Sequence, residues 1–209
     1  MCSSDLALQA WHARADVAVN ILLLGPQGSG KGTQAKRIAE EYGLAHIATG
    51  DMFRTAIARR TPLGLEVEPI LASGRLVPDE LTIDLIRERL AEPDAQAGFV
   101  LDGFPRNEVQ ADALDELLRE LGRPLDLVLE FQIPDSPCIE RLRKRAEQEG
   151  RVDDTPEVIA QRLEIYHRET EPLIERYRTR GNFVGIHAGR TVDEVFAEIQ
   201  DVLEQVAVR

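Results

Sequence analysis

The sequence predicts an α/β protein built on a five-stranded parallel sheet, and three observations predict it. Short apolar runs recur at Ile21 to Leu24, Ala45 to Ala48, Phe99 to Leu101, Leu127 to Ile133 and Phe183 to His187. Each suits a buried strand, and helical patterns lie between them, the alternation that yields a parallel sheet. Helix starts carry their own chemistry: Ser136 stands before Pro137, Thr155 before Pro156, and Thr191 with Glu194 forms a capping box. Finally, 209 residues with 43% apolar side chains suffice for one good core with small inserts.

In chain order, residues 1–19 come first and show no apolar period, so the fold is expected to begin at Asn20. Residues 1–19 are expected to be a poorly structured extension without function, read either as a weak helix over Asp5 to Val17 or, since Cys2-Ser3-Ser4-Asp5-Leu6 matches a translated sequencing adapter, as non-native sequence. They carry no signal-peptide pattern.

The first strand runs into Gly25-Pro26-Gln27-Gly28-Ser29-Gly30-Lys31-Gly32-Thr33, four glycines around one lysine. Glycines let the backbone turn tightly and approach a ligand closely, so successive N–H groups can face phosphate oxygens while the next helix adds its positive end. Lys31 adds a mobile charge. The spacing satisfies G-x-x-x-x-G-K, but Gly32 follows the lysine, and the hydroxyl usual at that place arrives one residue later at Thr33. A helix is expected over Gly32 to Tyr42, with Ala35, Ile38 and Ala39 inward and Gly43 as its stop. This segment reads as a phosphate cradle.

Ligands of open parallel sheets bind beyond the carboxyl ends of the strands. There stand Thr49 to Arg54 after the second strand, Asp102 to Arg106 after the third, and a helix with Arg141 and Arg145 after the fourth. Asp102 is a costly charge at the end of a buried strand unless a cation or donor balances it; the competing reading is a turn aspartate before Gly103. Gln110 offers a donor and an acceptor fit for the paired edge of a base, or it is an exposed helix glutamine. Arg141 and Arg145 share a helix face, where like charges weaken the helix unless an anion lies between them. The alternative is solvation, the reading given to Arg143 and Lys144. Asp153 and Asp154 are either functional or acids at a helix start. Cys138 reads as a small packed hydrophobe without chemistry.

Bulk properties exclude other classes. With 37 acidic against 25 basic residues the net charge is −12, which disfavours nucleic acid and bare anionic membranes as partners. A phosphate ligand then needs a local basic site. No run of about 18 apolar residues marks a membrane span. Cys2 and Cys138 alone exclude a disulfide framework and a multi-cysteine zinc site, and a reducing cytoplasm fits them.

Read together, G-x-x-G-x-G-K-G-T from Gly25, T-G-D-M-x-R from Thr49, G-R-L-V-P-D-E from Gly74, D-G-F-P-R from Asp102 and R-x-D-D from Arg151 closely resemble the adenylate kinase family over Asn20 to Val206. Gln27, where proline is common, is one departure. The resemblance implies a P-loop NTPase three-layer fold with a core over 20–47, 78–143 and 155–209. A helical monophosphate-binding arm would occupy 48–77 and a short lid 144–154. It implies reversible phosphoryl transfer, Mg-ATP plus AMP giving two ADP, so ATP, AMP and ADP are the expected partners. Mg2+ is the expected cofactor, without structural zinc.

On the same resemblance, Gly28, Ser29, Gly30, Lys31, Gly32 and Thr33 hold ATP phosphates, with Arg141, Arg145 and Arg190 on the ATP side. AMP is expected on Thr49, Arg54, Arg75, Leu76, Val77, Gly103, Phe104, Pro105, Arg106, Gln110, Arg151 and Arg162. Lys31, Arg106, Arg141, Arg151 and Arg162 would carry the transfer, and Asp102 would hold magnesium through water. Pyrimidine monophosphate kinases usually have asparagine at the place of Gln110. A UMP/CMP kinase, a shikimate-type small-molecule kinase and a non-catalytic P-loop binding module stand as the alternatives. Without a coiled coil or other assembly signal, a monomer is expected.

Overall fold

The computed structural model describes residues 18–149 and 154–207. Its strands are β1 (Val19–Leu24), β2 (Ala45–Ala48), β3 (Gly98–Asp102), β4 (Leu127–Gln132) and β5 (Phe183–His187). They form one sheet in the order β2-β3-β1-β4-β5, with every pairing parallel. The helices are α1 (Lys31–Tyr42), α2 (Thr49–Ala58), α3 (Pro62–Ala72), α4 (Asp79–Leu90), α5 (Glu108–Glu120), α6 (Asp135–Glu149), α7 (Pro156–Ile165), α8 (Pro172–Arg178) and α9 (Val192–Ala207). A π-helical turn, Tyr166–Thr170, joins α7 to α8.

Side chains alternate across a strand, so each strand supplies two cores. Leu22, Leu24, Phe99 and Leu101 pack with Ile86 of α4, Leu114 of α5 and Tyr177 of α8. Ile21, Leu23, Val100 and Phe131 pack on the opposite face with Ile38 of α1 and Ile199 of α9. The result is three layers, helices on both faces of the sheet. Each such enclosed side chain contributes roughly 1.5–3 kcal/mol. A smaller core of Phe53, Val67 and Val77 lies within the segment carrying α2 and α3.

Local chemistry sets the ends of the elements. Gly43, at φ 67°, closes α1 in the left-handed region, as its sequence position predicts. The Thr155 hydroxyl accepts from Val158 N at 3.4 Å at the head of α7. Thr191 accepts from Glu194 N at 3.3 Å and Glu194 from Thr191 N at 3.0 Å, a reciprocal capping box.

Three boundaries differ from expectation. β1 begins at Val19, one residue before Asn20, because Val19 pairs with Gly98 and is buried. Residues 1–17 lie outside the described residues. α1 begins at Lys31 rather than Gly32, since Gly30 at φ 97° makes the turn. α6 begins at Asp135, so Ser136 sits inside the first turn instead of capping it; Pro137 is tolerated there because first-turn N–H groups have no helical partner to lose.

Candidate active site

The loop after β1 turns back over Lys31. The Lys31 ammonium donates to Gly25 O at 2.6 Å, Pro26 O at 2.8 Å and Ser29 Oγ at 3.3 Å. The residue as a whole is half-buried, but its charged end is enclosed by the loop. Burial pushes its pKa down to about 8; Asp102 opposes that shift, while Arg106 and Arg162 add to it. A lysine so placed has carbonyl partners that a phosphate oxygen can replace.

Helix α6 is pressed against the same loop. Gly28 lies at φ 81°, and a Cβ there would stand 2.6 Å from Cys138 O and 3.0 Å from Leu142 Cγ, so only glycine fits. Cys138 is buried and free, and burial pushes its thiol pKa up, which agrees with a packing role. One turn along α6, Arg141 Nη1 donates to Ser29 O at 3.2 Å and to Ala188 O at 3.2 Å, while Nη2 reaches Ala188 O at 3.1 Å. It thus ties the loop to the end of β5.

Arg145 takes a different acceptor. It holds Asp154 with two bonds of 2.7 and 2.8 Å, and Arg162 Nη1 meets the same carboxylate at 2.9 Å. The Asp154 side chain is 0% exposed. Arg141 and Arg145 therefore do not share one acceptor in this structure, and Asp154 is a buried hub for two arginines as well as a residue beside a helix start. Arg151 and Asp153 lie outside the described residues. Arg190 is exposed, pairs with Glu198 on α9 and donates from Nε to His187 O at 3.3 Å. Arg143 and Lys144 are exposed, as expected, Lys144 lying 3.0 Å from Glu140.

The carboxyl end of β3 faces two ways. A Cβ on Gly32 would stand 3.2 Å from Asp102 Oδ2, so the carboxylate borders the lysine-bearing loop. A Cβ on the next residue, Gly103, would stand 3.0 Å from Thr49 Oγ1 and 3.1 Å from Arg106 Nη2. Thr49 Oγ1 and Arg106 Nε both donate to Gly103 O, at 2.9 and 2.7 Å. Asp102 is therefore a strand-end carboxylate between β1 and β2, paired opposite Leu23 and Ala48, and not merely a turn residue.

On the Gly103 side opens a cleft whose empty space, open solvent included, is about 330 Å³. Thr49, Arg75, Leu76, Val77, Gly103, Arg106 and Gln110, all expected from sequence, line it. Gly50, Phe53, Leu71 and Thr82 complete the wall. Phe104 and Pro105 are buried and are not among its lining. Arg54 pairs with Asp51 at 2.7 Å and borders the cleft through Gly50, where a Cβ would lie 3.0 Å from Arg54 Nη2.

Gln110 is 2% exposed, so the surface reading does not hold. Its Oε1 accepts from Arg106 N at 2.8 Å and its Nε2 donates to Asp79 Oδ1 at 2.8 Å. Asn107 Nδ2 donates to the same Asp79 oxygen at 2.9 Å, while Asn107 Oδ1 caps α5 by accepting from Gln110 N at 2.9 Å. Thr170 Oγ1 donates to Arg106 O at 2.7 Å. Sequence reasoning gave no site role to Gly50, Phe53, Leu71, Thr82, Asp79, Asn107 and Thr170, although Gly50 and Phe53 lie within Thr49 to Arg54 and Asp79 within G-R-L-V-P-D-E. Helical spacing could have found Phe53, one turn past Thr49, and Thr82, one turn past Asp79; Thr170 has no local signal.

A parallel three-layer fold and a lysine-bearing glycine loop after its first strand, with an arginine-lined cleft across β3, define the P-loop class of α/β proteins. A family model described as Adenylate kinase matches residues 23–182. Among curated proteins called Adenylate kinase, one from Cyanothece sp. is 48% identical over 186 residues, covering 89% of this chain and 95% of that protein. One from Micrococcus luteus is 49% identical over 175 residues, 84% and 85% of the two chains. One from Bacillus subtilis is 38% identical over 212 residues, 88% and 98% of the two. The chain belongs to the adenylate kinase family.

Proposed function

We propose that the chain catalyses reversible phosphoryl transfer between Mg-ATP and AMP, giving two ADP. One observation carries this reading: Asp102 and Gly103, adjacent in the chain, border the glycine loop on one side and the Thr49–Arg106 cleft on the other. Two nucleotides bound there would meet phosphate to phosphate, and positioning plus charge stabilisation suffices for in-line transfer. No covalent intermediate and no dedicated base are needed.

In this reading Gly28 to Thr33 hold the ATP phosphates, with Arg141, Arg145 and Arg190 alongside. Lys31 exchanges the Gly25 and Pro26 carbonyls for the transferred group. AMP lies in the cleft on Thr49, Arg75, Leu76, Val77 and Gly103, with Phe104 and Pro105 supporting it from behind. Arg54 and Arg106 are on its phosphate and Gln110 on its base. Arg106, Arg141, Arg151 and Arg162 spread the charge of transfer, a task suited to guanidinium because it stays charged and binds with two parallel bonds. The buried Asp154 holds Arg145 and Arg162 in reach. Arm 48–77 would close over the site and exclude water together with lid 144–154, of which residues 150–153 lie outside the described residues.

The oxygen donors beside the loop suit Mg2+, which commonly takes one or two carboxylates together with substrate phosphates and waters. Asp102, through water, and Thr33 would hold it there, and the ion would neutralise charge on the β- and γ-phosphate oxygens. Among the described residues no helix is long and apolar enough to cross a membrane. A cytoplasmic monomer that binds neither membrane nor nucleic acid completes the proposal; the cysteine content supports the compartment and the net charge of −12 the lack of polyanionic partners, while the monomer is the default reading.

A coupled ADP-formation assay with ATP against AMP, CMP, UMP, GMP, shikimate and water tests it. AMP is expected to be the best acceptor, and Arg106→Ala to cost about 10³-fold or more with an unchanged circular dichroism spectrum. Preferred transfer to CMP or UMP would overturn the acceptor assignment. No transfer to any acceptor would leave a nucleotide-binding module.

A further inference from the structure

We propose that Asp79 is a positioning residue that sets base specificity: with the Arg106 N–H it holds the Gln110 amide in one of its two orientations, selecting 6-amino over 6-oxo purine monophosphates. The inference rests on Gln110 facing the base, as proposed above. An amide turned by half a revolution exchanges oxygen and nitrogen at almost no cost in shape. Adenine presents an N–H donor at position 6 and an acceptor at N1, whereas hypoxanthine and guanine present an acceptor at position 6 and an N–H donor at N1. A glutamine free to turn could read either edge.

Gln110 is not free to turn. The Arg106 N–H can only donate and lies 2.8 Å from Oε1; the Asp79 carboxylate can only accept and lies 2.8 Å from Nε2. Reversal would set donor against donor and acceptor against acceptor, in a side chain 2% exposed where water has little room to substitute. Each amide end keeps one further position, a lone pair on Oε1 and an N–H on Nε2, and these two together match adenine. Asp79 is itself fixed, heading α4 where a helix N-terminus favours a negative group and taking a second bond from Asn107 Nδ2 at 2.9 Å. Asn107 in turn caps the helix that bears Gln110, so Asp79, Asn107 and Gln110 close a ring.

Steady-state kinetics of the full chain with AMP and IMP test this, using Asp79→Ala, Asp79→Asn, Gln110→Leu and the Asp79→Ala/Gln110→Leu double variant. Asp79→Ala is expected to raise KM for AMP about five- to tenfold, the effect of one lost buried hydrogen bond, without a matching change in KM for ATP. The AMP to IMP ratio of kcat/KM should narrow at least tenfold. Asp79→Asn, whose carbonyl can still accept from Nε2, should recover most of that ratio. Adding Asp79→Ala to Gln110→Leu should change nothing further. Asp79→Ser keeps a helix-start residue too short to reach Gln110 and replaces the alanine variant if that one does not fold. An unaltered AMP to IMP ratio in the loss variant, or additive effects in the double variant, overturns the role of Asp79. An unaltered ratio in Gln110→Leu overturns instead the base-reading role of Gln110.

Discussion

Raising the pH perturbs Lys31 selectively, because burial lowers its pKa from 10.5 to about 8. Between those values the unfolded chain holds a proton that the folded chain has released. Stability therefore rises with pH across pH 8 to 10.5, by at most about 3 kcal/mol at 1.36 kcal/mol per unit. A phosphate beside the ammonium favours its charged form, so above pH 8 ATP binding must take up a proton. The kcat/KM for ATP, which reports the free enzyme, should fall about tenfold per pH unit beyond 8, reaching roughly thirtyfold by pH 9.5. Saturating ATP should hide most of that fall in kcat. Urea unfolding of wild type and Lys31→Met without nucleotide at pH 7, 8, 9 and 10 supplies the second readout. Wild type should gain on the variant as pH rises, and Lys31→Met should have lost turnover by orders of magnitude. A kcat/KM flat to pH 9.5, or parallel stability profiles, would refute the burial argument for Lys31.

Asp154→Ala leaves Arg145 and Arg162 without the carboxylate they share and should destabilise the fold by about 3 kcal/mol, seen as a lower urea midpoint, with turnover reduced as well. An unchanged midpoint would mean that this buried hub contributes little. Gly28→Ala combines a left-handed φ of 81° with a Cβ 2.6 Å from Cys138 O. It should cost about 2 kcal/mol or more and raise KM for ATP, measured by thermal melting and kinetics.

The layered fold was legible because buried parallel strands announce themselves as short apolar runs, and all five lie within about two residues of those runs. Caps built from hydrogen bonds between residues three apart, at Thr155 and Thr191, were legible for the same reason. Ser136 misled because a serine before proline fits a cap as well as an interior first turn, and only the path of the chain leaving β4 decides. At the site, the sequence motifs carried Thr49, Gly103, Arg106 and Gln110 to the cleft. What holds these residues was not legible: Asp79 lies 31 positions from Gln110, and Thr170 lies 64 from Arg106. Contacts at such separation leave no periodic trace. Asp154 could be read as a helix-start acid or as a functional one, and only its burial against Arg145 and Arg162 separates those roles.

On the proposed reading, the two half-sites take their reference from the last residue of β3, Asp102, and its neighbour Gly103, whose α-carbons are a single peptide unit, about 3.8 Å, apart. Donor and acceptor are thus spaced by covalent geometry at the rim of the sheet. If the arm and lid close as proposed, their movement would change how long each nucleotide stays without altering that spacing. Substitutions along the proposed arm, 48–77, would accordingly retune the acceptor while the alignment needed for transfer is inherited unchanged, a modularity anchored in one peptide bond.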